Sequence, residues 1–435
     1  MKFLDKDSLS VTLSNVIKLV FGFLVVPIIA RNVAPEQLGK LDLLLAYGPF
    51  VNQFISMGFT NSSTKFYKEK EDENVIKYMQ NKIWIRTSIL VMLFCVVFSL
   101  FGSSMMSIPI LIVILYSISL FLENISFLPQ NHFLNKNDFQ KYSVTSTLST
   151  IIRYSFTLSL VLLLTDKLLA LSVGLIISNL YLFLINLKYH KGLLLPTYQE
   201  NTLSVDLILV IKKYSRPLFF LGMVGLLYQS SDRLLLAYFS SNNMMKVGYL
   251  GMAQRIIGFI TVGLSGLFTV WGVRAFENYS DAILMREKEK LIGMMLGVLV
   301  LVMLTMFFLK PLIIKFLLTE AYKDSFPICI LLIGTFVNNR VREILEKYFL
   351  KKGDSKLITL VFVCFGFLSV IISALLLYLY DLQTMLIFRL LIASLHAITL
   401  FLFLRKANQR INPLLMLLNL ILSIAIVIIM KLGLI

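Results

Sequence analysis

Cysteine, histidine and acidic residues are scarce in this chain, and each shortage removes a class of function. The three cysteines, Cys95, Cys329 and Cys364, all fall inside apolar segments and make neither a disulfide framework nor a metal-ligand spacing. His132, His190 and His396 are equally scattered, so no metal site is expected. No Gly-x-x-x-x-Gly-Lys-Ser/Thr loop occurs, which argues against built-in ATP hydrolysis, and no cofactor is expected. Charge of any sign is thin: charged residues are 15% of the chain, against roughly 25% in an ordinary soluble domain. Acidic residues number 24 against 41 basic ones, a net charge of +17. That excess does not point to nucleic acid, because no stretch joins a basic stripe to the folded soluble domain such a reader needs.

What is abundant is apolar sequence. Hydrophobic residues make up 58% of the chain, and mean hydropathy is +0.83. Windows of about 20 apolar residues, enough to cross a bilayer core of about 30 Å, recur along the whole length. Six lie in the first half: 9–33, 38–66, 83–101, 108–128, 142–164 and 168–187. Six more follow at 217–239, 247–271, 291–309, 326–350, 357–379 and 382–404, and Leu414 to Met430 is left over. Lys2 and Lys6 before the first run imitate a secretory signal, but the run is too long and flows into further spans, so an uncleaved first helix is expected.

The second and eighth spans repeat one another. At a fixed shift of 209 positions Gly39 falls on Gly248, Leu41 on Leu250, Phe50 on Phe259, Ser56 on Ser265 and Phe59 on Phe268. The chain therefore reads as a duplication. The expected fold is an all-α integral membrane protein of two six-helix bundles related by a pseudo-two-fold axis, plus one extra C-terminal apolar helix. The boundaries predicted are 1–190 for the first bundle, 191–211 for a polar cytoplasmic linker, 212–404 for the second bundle and 405–435 for the extra helix. Within the linker Ser204 is placed to cap a short surface helix from Val205 to Lys213.

Basic residues crowd alternate loops, notably Lys68, Lys70, Lys77 and Lys82, then Lys136 and Lys141, then Lys351, Lys352 and Lys356. That side is cytoplasmic by the positive-inside rule, which places the amino terminus inside. Every loop on the other side is short, so no folded domain is expected outside the cell.

Chemistry must then come from polar groups within the spans, where an ionised side chain costs at least about 2.5 kcal/mol unless a cavity or partner receives it. Lys18, Arg153 and Arg255 are the cationic candidates for a substrate cavity; Asn15, Asn52 and Gln254 are its neutral candidates, with Gln53, Asn61 and Gln229 beside them. Asp42 and Glu123 are the candidates for ion coupling. Basic groups outnumber acidic ones at depth, which suits an anionic ligand, and arginine offers a planar fork for phosphate oxygens. Each also has a structural reading: Asp232 beside Arg233, and Arg342 beside Glu343 and Glu346, as pairs between helices, and Arg86 as a side chain that snorkels to the cytoplasmic surface. Pro27 and Pro49 interrupt the first two spans and permit bending.

Two hairpins carry a family likeness. Asn15, Pro27 through Ala30-Arg31, Ala34-Pro35-Glu36-Gln37-Leu38-Gly39 and Leu41-Asp42-Leu43 resemble the first hairpin of Wzx-type polysaccharide flippases. Ser231-Asp232-Arg233-Leu234-Leu235-Leu236, followed by Val247-Gly248-Tyr249, resembles their seventh and eighth helices. These proteins belong to the superfamily of multidrug, oligosaccharidyl-lipid and polysaccharide exporters. The resemblance implies a non-enzymatic secondary transporter of the bacterial cytoplasmic membrane. It would move an undecaprenyl-diphosphate-linked oligosaccharide, an O-antigen (lipopolysaccharide) or capsule repeat unit, to the outer leaflet by alternating access. The lipid bilayer surrounds it, and a polysaccharide polymerase and glycosyltransferases are the implied protein partners. Related lipid flippases keep basic residues in the first and eighth helices, which Lys18 and Arg255 match by helix. A multidrug exporter of the same superfamily would favour acidic cavity residues instead. A membrane polymerase or ligase would need the large external loop that this chain lacks.

The orientation is testable by labelling. Cysteines introduced at Ser103 and Asn242 should react with an impermeant reagent added outside, and one at Asn74 should not; the reverse pattern would invert the topology.

Overall fold

The computed structural model describes residues 6–70, 73–102, 108–195, 203–239, 243–274, 281–352, 355–406 and 411–432. Ser103 and Asn242 lie outside these, as do the side chains of Asn61 and Gln229. Every regular element among the described residues is helical. The first half contains α1 (Lys6–Asn32), α2 (Pro35–Ser56), α3 (Phe59–Lys70), α4 (Glu73–Val97), α5 (Ile110–Asn135), α6 (Phe139–Leu163) and α7 (Lys167–Leu194). The second contains α8 (Val205–Phe239), α9 (Asn243–Arg274), α10 (Asp281–Leu312), α11 (Ser325–Lys352), α12 (Ser355–Leu379), α13 (Leu382–Lys406) and α14 (Pro413–Lys431). Nine described helices are long and apolar enough to cross a membrane. With no water in hydrocarbon to bond a loose backbone, helices are the form these apolar runs must take. The chain is a multi-pass membrane protein.

Helix starts follow local chemistry. Asp166 accepts hydrogen bonds from the backbone N–H groups of Leu168 and Leu169 at 3.0 and 3.2 Å, which opens α7. Asn412 accepts from Leu414 N at 3.0 Å and is followed by Pro413, whose missing N–H costs nothing in a first turn. Ser204 does cap, accepting from Leu207 N at 3.3 Å, but the helix it opens is not short. It runs on through Pro217 to Phe239, a single 35-residue helix, because nothing between Lys213 and Arg216 breaks the backbone pattern. At 1.5 Å per residue it is about 52 Å long, well beyond a membrane thickness, so its first turns form a continuous extension of the span rather than a separate surface helix.

The prolines expected to interrupt the first spans do not end them: Pro27 lies inside α1 and Pro49 inside α2. The break comes later, at Met57 and Gly58, where φ is +43° and +79° and the chain turns from α2 into α3. Gly58 is required there twice over, since its φ is left-handed and an added Cβ would stand 2.4 Å from the Ser215 carbonyl oxygen. Ending a helix inside a span orphans its last carbonyls. Arg86 answers that need, donating from Nη1 to the Ile55 carbonyl at 3.2 Å with its guanidinium 4.9 Å from the centre of the Phe59 ring. Arg86 therefore caps a broken helix with a cation at its negative end instead of snorkelling to the surface.

Packing divides the chain into two compact units. One comprises Met1–Val33, Lys40–Leu226 and Val262–Leu267; the other comprises Ala34–Gly39, Leu227–Thr261 and Phe268–Ile435. The first unit thus reaches beyond the polar linker into α8. The reason lies in the seam of α8 on α2 and α3: Gln53 donates to the Phe219 carbonyl at 3.0 Å, Ser62 and Ser215 hydroxyls meet at 2.6 Å, and Phe66 packs edge-on to Tyr214. In the second unit Asn338, Asn419, Ser423 and Ser394 form a fully buried polar chain linking α11, α13 and α14, with bonds of 2.6 to 3.0 Å. The leftover C-terminal segment is therefore bonded into its unit.

The second unit also holds the contact that reports the duplication. A Cβ added at Gly39 would lie 1.8 Å from the Met244 carbonyl oxygen, and one at Gly248 would lie 1.9 Å from the Pro35 carbonyl oxygen. Each glycine meets the backbone four residues before the other, so the starts of α2 and α9 cross with two-fold symmetry, as in an isologous contact. Gly39→Ala and Gly248→Ala should each force these backbones apart and lower folded yield by similar amounts, read as the monodisperse fraction after detergent extraction. A tolerated alanine at one position and not at the other would break the symmetry argument.

Candidate functional site

The first unit gathers polar side chains from α1, α2, α5 and α6 at membrane depth. On α6, Ser143, Ser146, Thr147, Thr150 and Arg153 recur at helical spacing and make a hydroxyl stripe that ends in a guanidinium. The stripe meets α1. The Ser14 hydroxyl donates to the Ser143 carbonyl at 3.2 Å and contacts the Thr147 hydroxyl. Lys18, thirteenth of the 27 residues in α1, donates to the Ser146 hydroxyl at 2.5 Å and to Asn15 Oδ1 at 3.5 Å. Lys18 and Asn15 are thus brought together, with Asn15 buried and Lys18 half-buried. Ser146 was not among the residues expected from sequence. Its signal was the spacing of serine and threonine from Ser143 to Thr150.

A second polar group stands on α2 and α5. Asn124 donates to Asn52 Oδ1 at 2.6 Å and to the Leu120 carbonyl at 2.8 Å, and the Asn52 amide in turn donates to Glu123 Oε1 at 3.4 Å. Glu123 and Arg153 are both exposed to solvent-sized contact although each lies near the middle of its helix. The structure therefore joins Asn52 and Glu123, two of the expected residues, and Arg153 stands on the neighbouring α6. Asp42 stands apart from them: it is buried, 1% exposed, and ten residues from Asn52, about 15 Å along α2.

In the second unit the charges are mostly consumed by partners. Asp232 and Arg233 are sequence neighbours but do not pair, because successive residues on a helix point about 100° apart. Asp232 instead forms a buried ion pair with Arg389 of α13, and Arg233 donates to Gln254 of α9. Gln254 is thereby tied to an arginine, next to the half-buried Arg255. Arg342 holds Glu346 one turn on at 3.1 Å and lies 4.3 Å from the centre of the Phe362 ring. Among the described residues no group of three or more histidine, cysteine or acidic side chains has the arrangement of a metal site.

The multi-pass fold, helical throughout the described residues, is one that solved membrane proteins share. The chain matches the inward-facing conformation of a multidrug resistance MATE family transporter of the MOP superfamily with a TM-score of 0.65 and 13% identity, over 92% of this chain and 97% of that one. It matches the lipid II flippase MurJ in an inward closed conformation with the same TM-score and identity, over 98% and 97%. An outward-facing MATE transporter gives 0.64 and 13%, over 92% and 95%. At this identity the likeness is one of fold. No curated protein matches in sequence. The family profile described as "Polysaccharide biosynthesis protein" matches residues 4–272, more than half of the chain, and the chain belongs to that family.

The Asp232–Arg389 pair gives a measurable consequence. Removing one partner of a buried pair strands the other charge, at a cost of ~3–5 kcal/mol. Arg389→Leu should therefore lower the thermal unfolding midpoint of the purified protein, and Asp232→Leu added to it should recover much of the loss. A double variant no more stable than the single would show that the pair is not the unit of stability.

Proposed function

We propose that this protein flips a lipid-linked oligosaccharide, an undecaprenyl-diphosphate-linked O-antigen or capsule repeat unit, from the cytoplasmic to the outer leaflet of the bacterial cytoplasmic membrane. It does so by alternating access and as a transporter, not an enzyme, with its amino terminus in the cytoplasm. The family it belongs to is one of polysaccharide biosynthesis, and a solved flippase of lipid II shares its fold. The observation that carries the reading is the polar surface of α1 and α6: a lysine and an arginine at membrane depth joined by a run of hydroxyls. A sugar diphosphate has many acceptor oxygens that hydrocarbon leaves unsatisfied, and its polyprenyl tail belongs in lipid. Lys18 and Arg153 are suited to the phosphates, and Ser146, Asn15 and Asn52 to hydroxyls of the headgroup. Arg255 is proposed as an anion contact in its own unit. Asp42 and Glu123 are the acidic groups through which ion coupling would act.

A multidrug exporter would bind organic cations and would want an acidic binding surface. Here the charged groups of the hydroxyl stripe, Lys18 against Ser146 and Arg153 at its end, are cationic, and the family is named for polysaccharide rather than drugs.

The test is delivery of the cell's own surface glycan in a strain that lacks its wild-type flippase, with membrane protein quantified alongside. Lys18→Ala and Arg255→Ala, singly and together, should reduce glycan display at least tenfold with abundance nearly unchanged, and Arg255→Lys should retain part of it, since charge survives while the planar fork does not. Full display from the double variant would defeat the reading.

A further inference from the structure

Helix α11 is packed on every side but one. It meets α10, α12, α13 and α14 of its own unit. From residue 331 to 349 every residue is buried except Leu332, Phe336, Asn339, Arg340, Glu343 and Lys347, which recur at helical steps and make one stripe along one face. Arg340 is the sixteenth and Glu343 the nineteenth of the 28 residues in α11, about 22 and 27 Å from its start at 1.5 Å per residue. Side chains of opposite charge, 30% and 33% exposed at that depth, face water rather than hydrocarbon, because lipid would leave their hydrogen-bonding groups unsatisfied.

The polar part of the stripe is held from behind. Arg342 is buried, and its Nη1 donates to Asn339 Oδ1 at 3.4 Å. Its Nη2 lies 3.7 Å from Glu343 Oε1, and its Nε lies 3.1 Å from Oε1 of the buried Glu346. Glu343 Oε2 in turn accepts from Arg340 Nη1 at 2.5 Å, and the Arg340 guanidinium stands 5.0 Å from the centre of the Phe336 ring. A ring, an amide, a guanidinium and a carboxylate are thus fixed side by side. An open ion pair one turn apart adds little to stability, so packing alone does not account for a buried arginine that orients two members of the stripe.

We propose that this stripe is a saccharide subsite: a sugar ring of the headgroup lies on Phe336, and its hydroxyls bond Asn339, Arg340 and Glu343. The inference rests on the flippase reading above and assigns the glycan its own contacts. Its chemistry favours sugar over phosphate. Arg340 and Arg342 are matched by Glu343 and Glu346, so the surface offers donors and acceptors together instead of an unbalanced cation. Asn339, with its Oδ1 taken by Arg342, has amide N–H groups to give; Glu343 accepts and Arg340 donates. A sugar hydroxyl does both, and the C–H face of the ring suits the negative face of an aromatic side chain. A site built to bond hydroxyls also rejects a ligand that lacks them, since its own polar groups are then left unpaired.

Two probes that differ only in the sugar test it. Full-length protein in lipid nanodiscs would be titrated with undecaprenyl diphosphate, and separately with the undecaprenyl-diphosphate-linked oligosaccharide extracted from cells that lack the flippase. Wild type should bind the glycosylated lipid roughly tenfold tighter or more. Phe336→Leu and Asn339→Ala should each weaken binding of the glycosylated lipid about tenfold, while undecaprenyl diphosphate stays within about twofold of wild type. Phe336→Tyr keeps the ring and should retain the preference. These variants leave the buried Arg342 and Glu346 pair in place, and the monodisperse fraction after detergent extraction checks their folding. Equal binding of the two probes by wild type would overturn the saccharide subsite and leave the flippase reading standing. So would an unchanged preference in Phe336→Leu and Asn339→Ala, or a parallel loss of both probes. No binding of either probe by the wild-type protein would overturn both readings.

Discussion

A polar group at membrane depth must be hydrogen-bonded by protein or reached by water, because hydrocarbon offers it nothing. That constraint orders nearly everything in this structure. Where a charge or amide lies within a span, the chain has supplied a partner, out of solvent in some places and at exposed positions in others. The two outcomes separate architecture from site. Asn338, Asn419, Ser423 and Ser394 bond one another out of solvent, and Asp232 and Arg389 pair there. Glu123 accepts a hydrogen bond from Asn52 and yet is exposed, as is Arg153. Hydrophobic burial cannot make this distinction between helices in lipid, since lipid tails are as apolar as the side chains they would replace.

The apolar runs and most of the polar breaks between them were legible in the sequence, because bilayer thickness imposes a length that composition reveals directly. The break between α2 and α3 was not. The apolar run continues across Met57 and Gly58, and Pro49 eight residues earlier is the more conspicuous signal, yet a proline inside a span is tolerated where neighbouring helices re-satisfy the freed groups. What fixes the break is Arg86 and the α8 backbone near Ser215, both distant in sequence. Partner choice was illegible for the same reason: Asp232 lies next to Arg233 in sequence and bonds Arg389 in space.

Within the site, the cations and Glu123 could be nominated from sequence because charge in a span is costly and hence conspicuous. The hydroxyls could not. Serine and threonine in helices commonly bond their own backbone one turn back, as Thr145 does to the Lys141 carbonyl at 2.8 Å and Thr150 to the Ser146 carbonyl at 3.0 Å. A stripe of them is therefore silent until a partner such as Lys18 is placed against it. Asn52 posed the opposite difficulty: it was visible as a polar residue, but its use depended on Asn124, which orients it.

The duplication adds a constraint of a different kind. At Gly39 and Gly248 each copy packs on the other, so a larger side chain in either strains both, and the contact persists as a matched pair. Eighteen residues on, the copies part company. Met57 and Gly58 break the helix, while the equivalent positions of α9, 266 and 267, run through a continuous helix from Asn243 to Arg274. The break is held by Arg86 and Ser215, neither of which belongs to the repeated hairpin, so nothing obliges the second copy to share it. A self-complementary contact binds the two copies to one geometry; a contact with a third element leaves each free to differ. On that argument the asymmetric features of α2 and α3, rather than those shared with α9, are where this chain has room to build a function for one half alone, and the Asn52 to Glu123 bond lies one turn before the break.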